Sequence, residues 1–293
     1  MILSTFFIIA AVVLRILSNP LANVFQKQLT AKQYPPLQVN FFTYLILGVF
    51  CIFPAFNIPW QKLSVEFWIY SILAGIAGAT GNGFLVKALH KGDLSVLGPV
   101  NSYKSIVGMI VGIFLLGELP NWWGITGVLL IVYGSYFVLD TAAERFSWAL
   151  LKKPAIQFRI WAMILTAIEA VFIKKIILAS STTAAFISWC WFGTLFSFIF
   201  LLLYKPAANT MLQFKSTDIS KFLLLVICIG TMQFTTTYTF DHMPVGYALS
   251  LFQLSTIISV LLGHSIFKEQ DIRKKLLGSF IMIIGSVIII LMK

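Results

Sequence analysis

Charge is what this sequence lacks most. Only 11% of its 293 residues are Asp, Glu, Lys or Arg, where soluble domains carry about 25%. Hydrophobic residues make up 59% and the mean hydropathy is +0.93. A fold in water could not cover itself with so little polar surface, so the solvent for most of this chain is lipid. Acidic residues are scarcer still, 10 against 21 basic ones, for a net charge of +11. Because those bases are scattered through short connectors, they read as topology signals and point away from nucleic acid.

Other absences narrow the class further. The three cysteines, Cys51, Cys190 and Cys228, lie inside apolar runs; odd in number and without metal-ligand spacing, they read as small core or lipid-facing residues. His90, His242 and His264 are scattered as well. No phosphate-cradling glycine loop, nucleophile elbow or paired-carboxylate motif occurs, so neither enzymatic chemistry nor ATP-driven work within the chain is expected. No cofactor and no metal are implied.

Long apolar runs are what the chain does have. A helix needs roughly 20 apolar residues to cross the hydrocarbon core, and ten segments qualify: 3–28, 38–57, 66–90, 94–117, 121–140, 159–178, 182–204, 219–241, 245–267 and 272–292. They are continuous rather than alternating, which argues against a barrel. The first lacks a basic leader region and is interrupted by Arg15, so it reads as a retained span rather than a cleaved signal.

The longest hydrophilic connector, Thr141–Phe158, divides the chain into residues 1–140 and 159–293. Glu118, Gly127 and Gly134 recur 151 residues later as Glu269, Gly278 and Gly285, so the same Glu-x8-Gly-x6-Gly spacing closes both halves. Val24-Phe25-Gln26-Lys27 finds a weaker echo in Val171-Phe172-Ile173-Lys174. Five spans per half is an odd number, so the second half enters from the opposite side. The expected fold is an all-α integral membrane protein of about ten transmembrane helices, arranged as a 5+5 inverted repeat, a recurrent transporter plan.

These features resemble the drug/metabolite transporter superfamily, in particular its EamA-like members with two five-helix repeats. The resemblance is carried by Lys87-Ala88-Leu89, Asp93–Val100, Leu116-Gly117-Glu118, Pro244–Ser250 and Phe267-Lys268-Glu269, together with the four repeated glycines. It implies a ten-helix bundle that moves small metabolites by alternating access, for example amino acids, their derivatives or drugs. One departure stands out: Ser250 occupies the place of Pro99, which puts a second-half kink in doubt.

Candidate site residues follow from cost. A Lys or Asp at the bilayer centre costs roughly 2.5–3.5 kcal/mol on insertion scales. Lys104 and Glu169 each lie ten residues into their spans, about 15 Å deep. Either they pair with each other, or Lys104 meets an anionic group on a substrate while Glu169 handles a proton or an ammonium. Arg15, Lys27 and Lys87 sit nearer span ends and are expected to snorkel. Asn19, Asn82, Asn101, Tyr103, Gln233, Tyr238 and Gln253 fill out a polar path, whereas Thr235–Thr237 and Ser255 can simply bond back to their own helices. Pro20 and Pro99 are expected to bend their helices. The glycine runs at Gly75–Gly83 and Gly108–Gly112 are expected to let helices pack closely. Glu118 and Glu269 read as structural, capping the next helix or pairing with loop bases.

The expected function is secondary transport of an amino acid-like, organic-anion or drug-like metabolite. A translocase for lipid-linked phosphate headgroups and a non-transporting scaffold or sensor are the alternatives. The partners are membrane lipid and a small molecule; two fused halves make a monomer sufficient and leave a homodimer open. Composition fits a bacterial inner membrane. Connector bases number 13 on one side, Arg159 and Lys275 among them, against 4 on the other. That bias places both termini outside the cytoplasm, whereas the resemblance implies both inside.

Overall fold

The structure, a computed structural model, describes residues 2–32, 34–104, 106–107, 121–139, 151–204, 216–243 and 245–291. Glu118, Gly108, Gly112 and most of the 141–158 connector lie outside the described residues. Among the described residues every regular element is helical. In the first half these are α1 (Ile2–Ala31), α2 (Pro36–Phe50), α3 (Ile52–Ala55), α4 (Val65–Lys91), α5 (Leu94–Val100) and α6 (Trp122–Leu139). The second half has α7 (Pro154–Ala179), α8 (Thr182–Leu203), α9 (Ser216–His242), α10 (Val245–Phe252), α11 (Ser255–Phe267) and α12 (Ile272–Leu291).

Local chemistry sets the ends. Proline opens α2 and α7 at Pro36 and Pro154, where no backbone donor is needed. The Ser64 hydroxyl caps α4 by accepting from Phe67 N, and Ser181 caps α8 by accepting from Ala184 N. Four described helices are long and apolar enough to cross a membrane: Phe6–Ala31, Val65–Lys91, Thr182–Leu203 and Asp218–His242. Large apolar side chains face outward around the molecule, with Phe53 76%, Phe56 82% and Trp122 83% exposed. Lipid is the medium such a surface requires.

Antiparallel pairs build the body. On α1 and α9, Arg15 meets Thr236 near the middle, while Lys32 pairs with Asp218 at the end, where the Tyr34 hydroxyl also donates to Asp218 Oδ2 at 3.0 Å. The α4 glycines allow close approach: a Cβ on Gly75 would fall 2.5 Å from Phe192 Cβ of α8, and one on Gly81 would fall 2.9 Å from Thr166 Cγ2 of α7.

The repeated glycines meet in an exchanged pattern. A Cβ on Gly134 would fall 2.7 Å from the Gly278 carbonyl oxygen, and one on Gly285 would fall 2.6 Å from that of Gly127. Gly127 and Gly278 are counterparts in sequence, as are Gly134 and Gly285, so each glycine faces the counterpart of the other. That exchange is the signature of a two-fold contact between like elements, and it makes α6 and α12 antiparallel.

One expectation about kinks needs correction. Pro20 lies inside α1, which is helical from Ile2 to Ala31. In the second half, where Ser250 replaces proline, the span still breaks: α10 ends at Phe252 and α11 begins at Ser255. The first half tightens into a 3₁₀ turn at the corresponding place, Asn101–Tyr103. Counterpart residues meet there, with Ser102 Oγ donating to Gln253 Oε1 at 3.4 Å and Ser286 Oγ donating to the Ser102 carbonyl at 3.3 Å. The second-half interruption is therefore set without a proline.

Candidate functional site

A small, partly polar cavity of about 80 Å³ lies where both halves contribute walls. From the first half, α1 supplies Arg15, Asn19 and Asn23, α4 supplies Asn82, and Asn101 and Lys104 follow α5. From the second half, α7 contributes Arg159, Thr166 and Glu169, and α9 contributes Gln233 and Thr236. Met232, Phe240 and Phe252 give the cavity an apolar wall.

Three cations face this space. Arg15 Nε donates to Thr236 Oγ1 at 2.7 Å, its guanidinium carbon lies 4.8 Å from the centre of the Phe252 ring, and its Nη1 is buried with no acceptor. Arg159 is 7% exposed and donates from Nε to the Leu97 carbonyl at 2.7 Å. Lys104 makes no hydrogen bond or ion pair among the described residues, and no bridge joins it to Glu169. The two share a cavity without closing the expected pair.

Among the described residues that line the cavity, Glu169 is the single carboxylate. Its Oε1 accepts from the indole N–H of Trp189 at 2.6 Å. The Trp189 ring packs on Tyr44 at 4.6 Å between centroids, and the Tyr44 hydroxyl accepts from Asn82 Nδ2 at 2.6 Å. Gly78 makes the arrangement possible, because any Cβ there would collide with the Glu169 carboxylate. Gln233, 5% exposed, holds a buried Nε2 with no acceptor.

Of the residues expected from sequence, the cavity brings together Lys104, Glu169, Asn19, Asn82, Asn101 and Gln233. The other three are engaged elsewhere. The Tyr103 hydroxyl donates to Ser135 Oγ at 2.6 Å, Gln253 accepts from Ser102, and the Tyr238 ring stacks on His242 at 4.1 Å. Arg15 does not snorkel but turns inward. Arg159 and Lys275 are not connector bases: they lie within α7 and α12 and are buried. Both cavity arginines had a signal. Arg15, Asn19 and Asn23 recur every fourth residue, and Arg159, Thr166 and Glu169 share a helical face once α7 starts at Pro154.

Glu269 is structural, though not as expected. Instead of capping the following helix, it reaches across to the first half. The backbone N–H groups of Leu94 and Ser95 donate to its two oxygens at 2.9 and 2.8 Å, as does the Ser95 hydroxyl. Lys27 Nζ donates to Oε1 at 2.9 Å and stands over the Phe267 ring. Burial pushes the Glu269 carboxyl up, but the Ser95 hydroxyl, Lys27 and the Ser95 N–H outweigh it and hold it below its ordinary value. Lys27 therefore pairs instead of snorkelling. Lys87 is half-buried against aromatic rings, with Nζ 3.9 Å from the Tyr204 centroid.

The sequence model of the EamA-like transporter family matches residues 4–140 and again 153–291. No curated protein matches the chain. A solved structure described only as "Crystal structure of protein" is similar over 99% of this chain and 96% of its own, with 16% identity and a TM-score of 0.67. That likeness speaks to the fold alone.

Proposed function

The chain belongs to the EamA-like transporter family, a multi-pass membrane protein built from two repeats, and on that premise we propose that it is a secondary carrier for a small metabolite. Its ten spans form a 5+5 inverted repeat, with the central cavity as the substrate site. Rocking of one half against the other exposes that site to each side of the membrane in turn. The observation that carries this proposal is a cavity walled by both halves and holding Lys104, Arg15, Arg159 and Glu169. Buried charge is expensive in lipid and marks substrate or ion pathways. The exchanged glycine contacts of α6 and α12 support the inversion, and no covalent chemistry is required of the site.

The protein acts in a bacterial inner membrane. Connector bases still favour both termini outside the cytoplasm once Arg159 and Lys275 are set aside as helix residues.

The test is uptake into proteoliposomes, using labelled amino acids, dicarboxylates, sugar phosphates and organic cations. Wild-type protein should accumulate members of one class, while Lys104→Met and Glu169→Gln, each folded by size-exclusion profile, should not. Unchanged uptake in both variants overturns the site, and inertness of the wild type toward every class overturns the carrier assignment.

A further inference from the structure

The cations in this cavity lack counter-charges that comparable cations elsewhere in the molecule possess. Lys27 has Glu269 and Asp93, and Lys32 has Asp218. In the cavity, Arg15 and Arg159 find only neutral partners among the described residues, a hydroxyl and a carbonyl. Lys104 finds none among the described residues. Against these three stands Glu169 alone, so the ionised site carries a formal charge of +2. An uncompensated buried charge is strongly destabilising unless something supplies its partner.

The unsatisfied hydrogen-bonding groups point the same way. Among the described residues two buried cavity atoms lack partners, Arg15 Nη1 and Gln233 Nε2, and both are donors. What the site is missing is acceptors. Glu169 cannot provide them, since Trp189 and the close approach of Gly78 fix it at one side. An ammonium or a lipophilic cation would add charge of the wrong sign. A zwitterion could place its ammonium at Glu169 and its carboxylate at one cation, leaving two cations bare. Two negative charges on one small molecule bring the site to neutrality and supply the acceptors together. Guanidinium groups suit such a partner, because their planar forks match carboxylate and phosphate oxygens. Met232, Phe240 and Phe252 would cover its carbon skeleton.

Resting on the carrier proposal above, we infer that the substrate is a small organic dianion, a dicarboxylate or phosphate monoester, held between Arg15, Arg159 and Lys104 and turned away from Glu169. A phosphate group could arrive free or on a lipid, and the experiment separates these sources.

The experiment is thermal unfolding of the purified full-length protein with succinate, glycerol 3-phosphate, alanine, tetraphenylphosphonium or a short-chain polyprenyl phosphate. A ligand that binds only the folded state raises Tm with concentration. Succinate or glycerol 3-phosphate should raise Tm by several degrees, and Lys104→Met and Arg15→Gln should each weaken that response at least tenfold in concentration. Lys104 makes no hydrogen bond or ion pair among the described residues, so its variant keeps the inference testable if Arg15→Gln does not fold. Lys104→Arg should retain the response. A rise with alanine or tetraphenylphosphonium and none with either dianion overturns the inference, as does the absence of any rise. A rise confined to the polyprenyl phosphate assigns the anion to a lipid and overturns the soluble substrate. Uptake separates the two proposals: dianion binding without transport removes the carrier and keeps the site, whereas transport of a zwitterion keeps the carrier and removes the dianion.

Discussion

Lys27 and Lys104 are lysines set in helical segments of one membrane protein, and the structure treats them in opposite ways. Lys27 has a carboxylate at 2.9 Å, a second at 3.9 Å and an aromatic ring centre at 4.6 Å. Lys104 borders a cavity with two arginines and no ion-pair partner among the described residues. The first is closed upon itself and ties Glu269 of one half to the start of α5 in the other. The second is left open. Where the charge is answered it holds the two halves together; where it is not, we propose that the answer comes from outside the chain.

The sharpest way to break the comparison is at the closed end. Glu269→Ala strips the counter-charge from Lys27 and the acceptors from Leu94 and Ser95 at once. Removing one partner of a buried pair typically costs about 3–5 kcal/mol, so thermal unfolding should show a large loss or outright failure to fold. Steric closeness comes next. Gly134→Ala drives a Cβ against the Gly278 carbonyl, and Gly78→Ala drives one against Glu169. Overpacking of this kind costs roughly 1–3 kcal/mol. Gly134→Ala should lower thermal stability, while Gly78→Ala should also impair uptake because it moves the site carboxylate.

Lys104→Met sharpens the contrast, since it should abolish uptake while making the unliganded protein more stable, by about 0.5–2 kcal/mol on the usual scale of function-costly stabilisation. Lys27→Met should do the reverse in stability. The smallest effect concerns pH. The Glu269 carboxyl is held below its ordinary value in the folded state, so its contribution is fully present above the unfolded value of about 4.3 and fades as pH falls through the lower folded one. Thermal stability measured downward from pH 6 should therefore decline more in the wild type than in Glu269→Gln.

Helices were legible from the sequence because hydropathy reports which residues leave water, and most expected spans begin and end within a few residues of the helices observed. The glycine repeat was legible for a related reason: only a backbone-to-backbone crossing demands glycine at matched spacing in both halves. Facing was harder. In α1 and α7 apolar residues surround the whole helix, so periodicity gives little sign of which side meets lipid. Arg15 thus reads as a snorkelling residue, and Arg159 reads as a connector base because the apolar run of α7 begins after the helix itself does. Gln253 and Tyr103 are polar residues deep in their spans, yet each is taken up by a neighbouring serine. Glu269 shows the remaining limit: its partners lie 174 and 242 residues away, and only the folded topology brings them together.

The most direct measurement is uptake of labelled succinate and glycerol 3-phosphate by proteoliposomes containing the wild type or Lys104→Met. The wild type should accumulate at least one of them, and the variant, equally folded and no less stable, should accumulate neither. Uptake that is undiminished without Lys104 would contradict the claim that the open cation is there for the substrate.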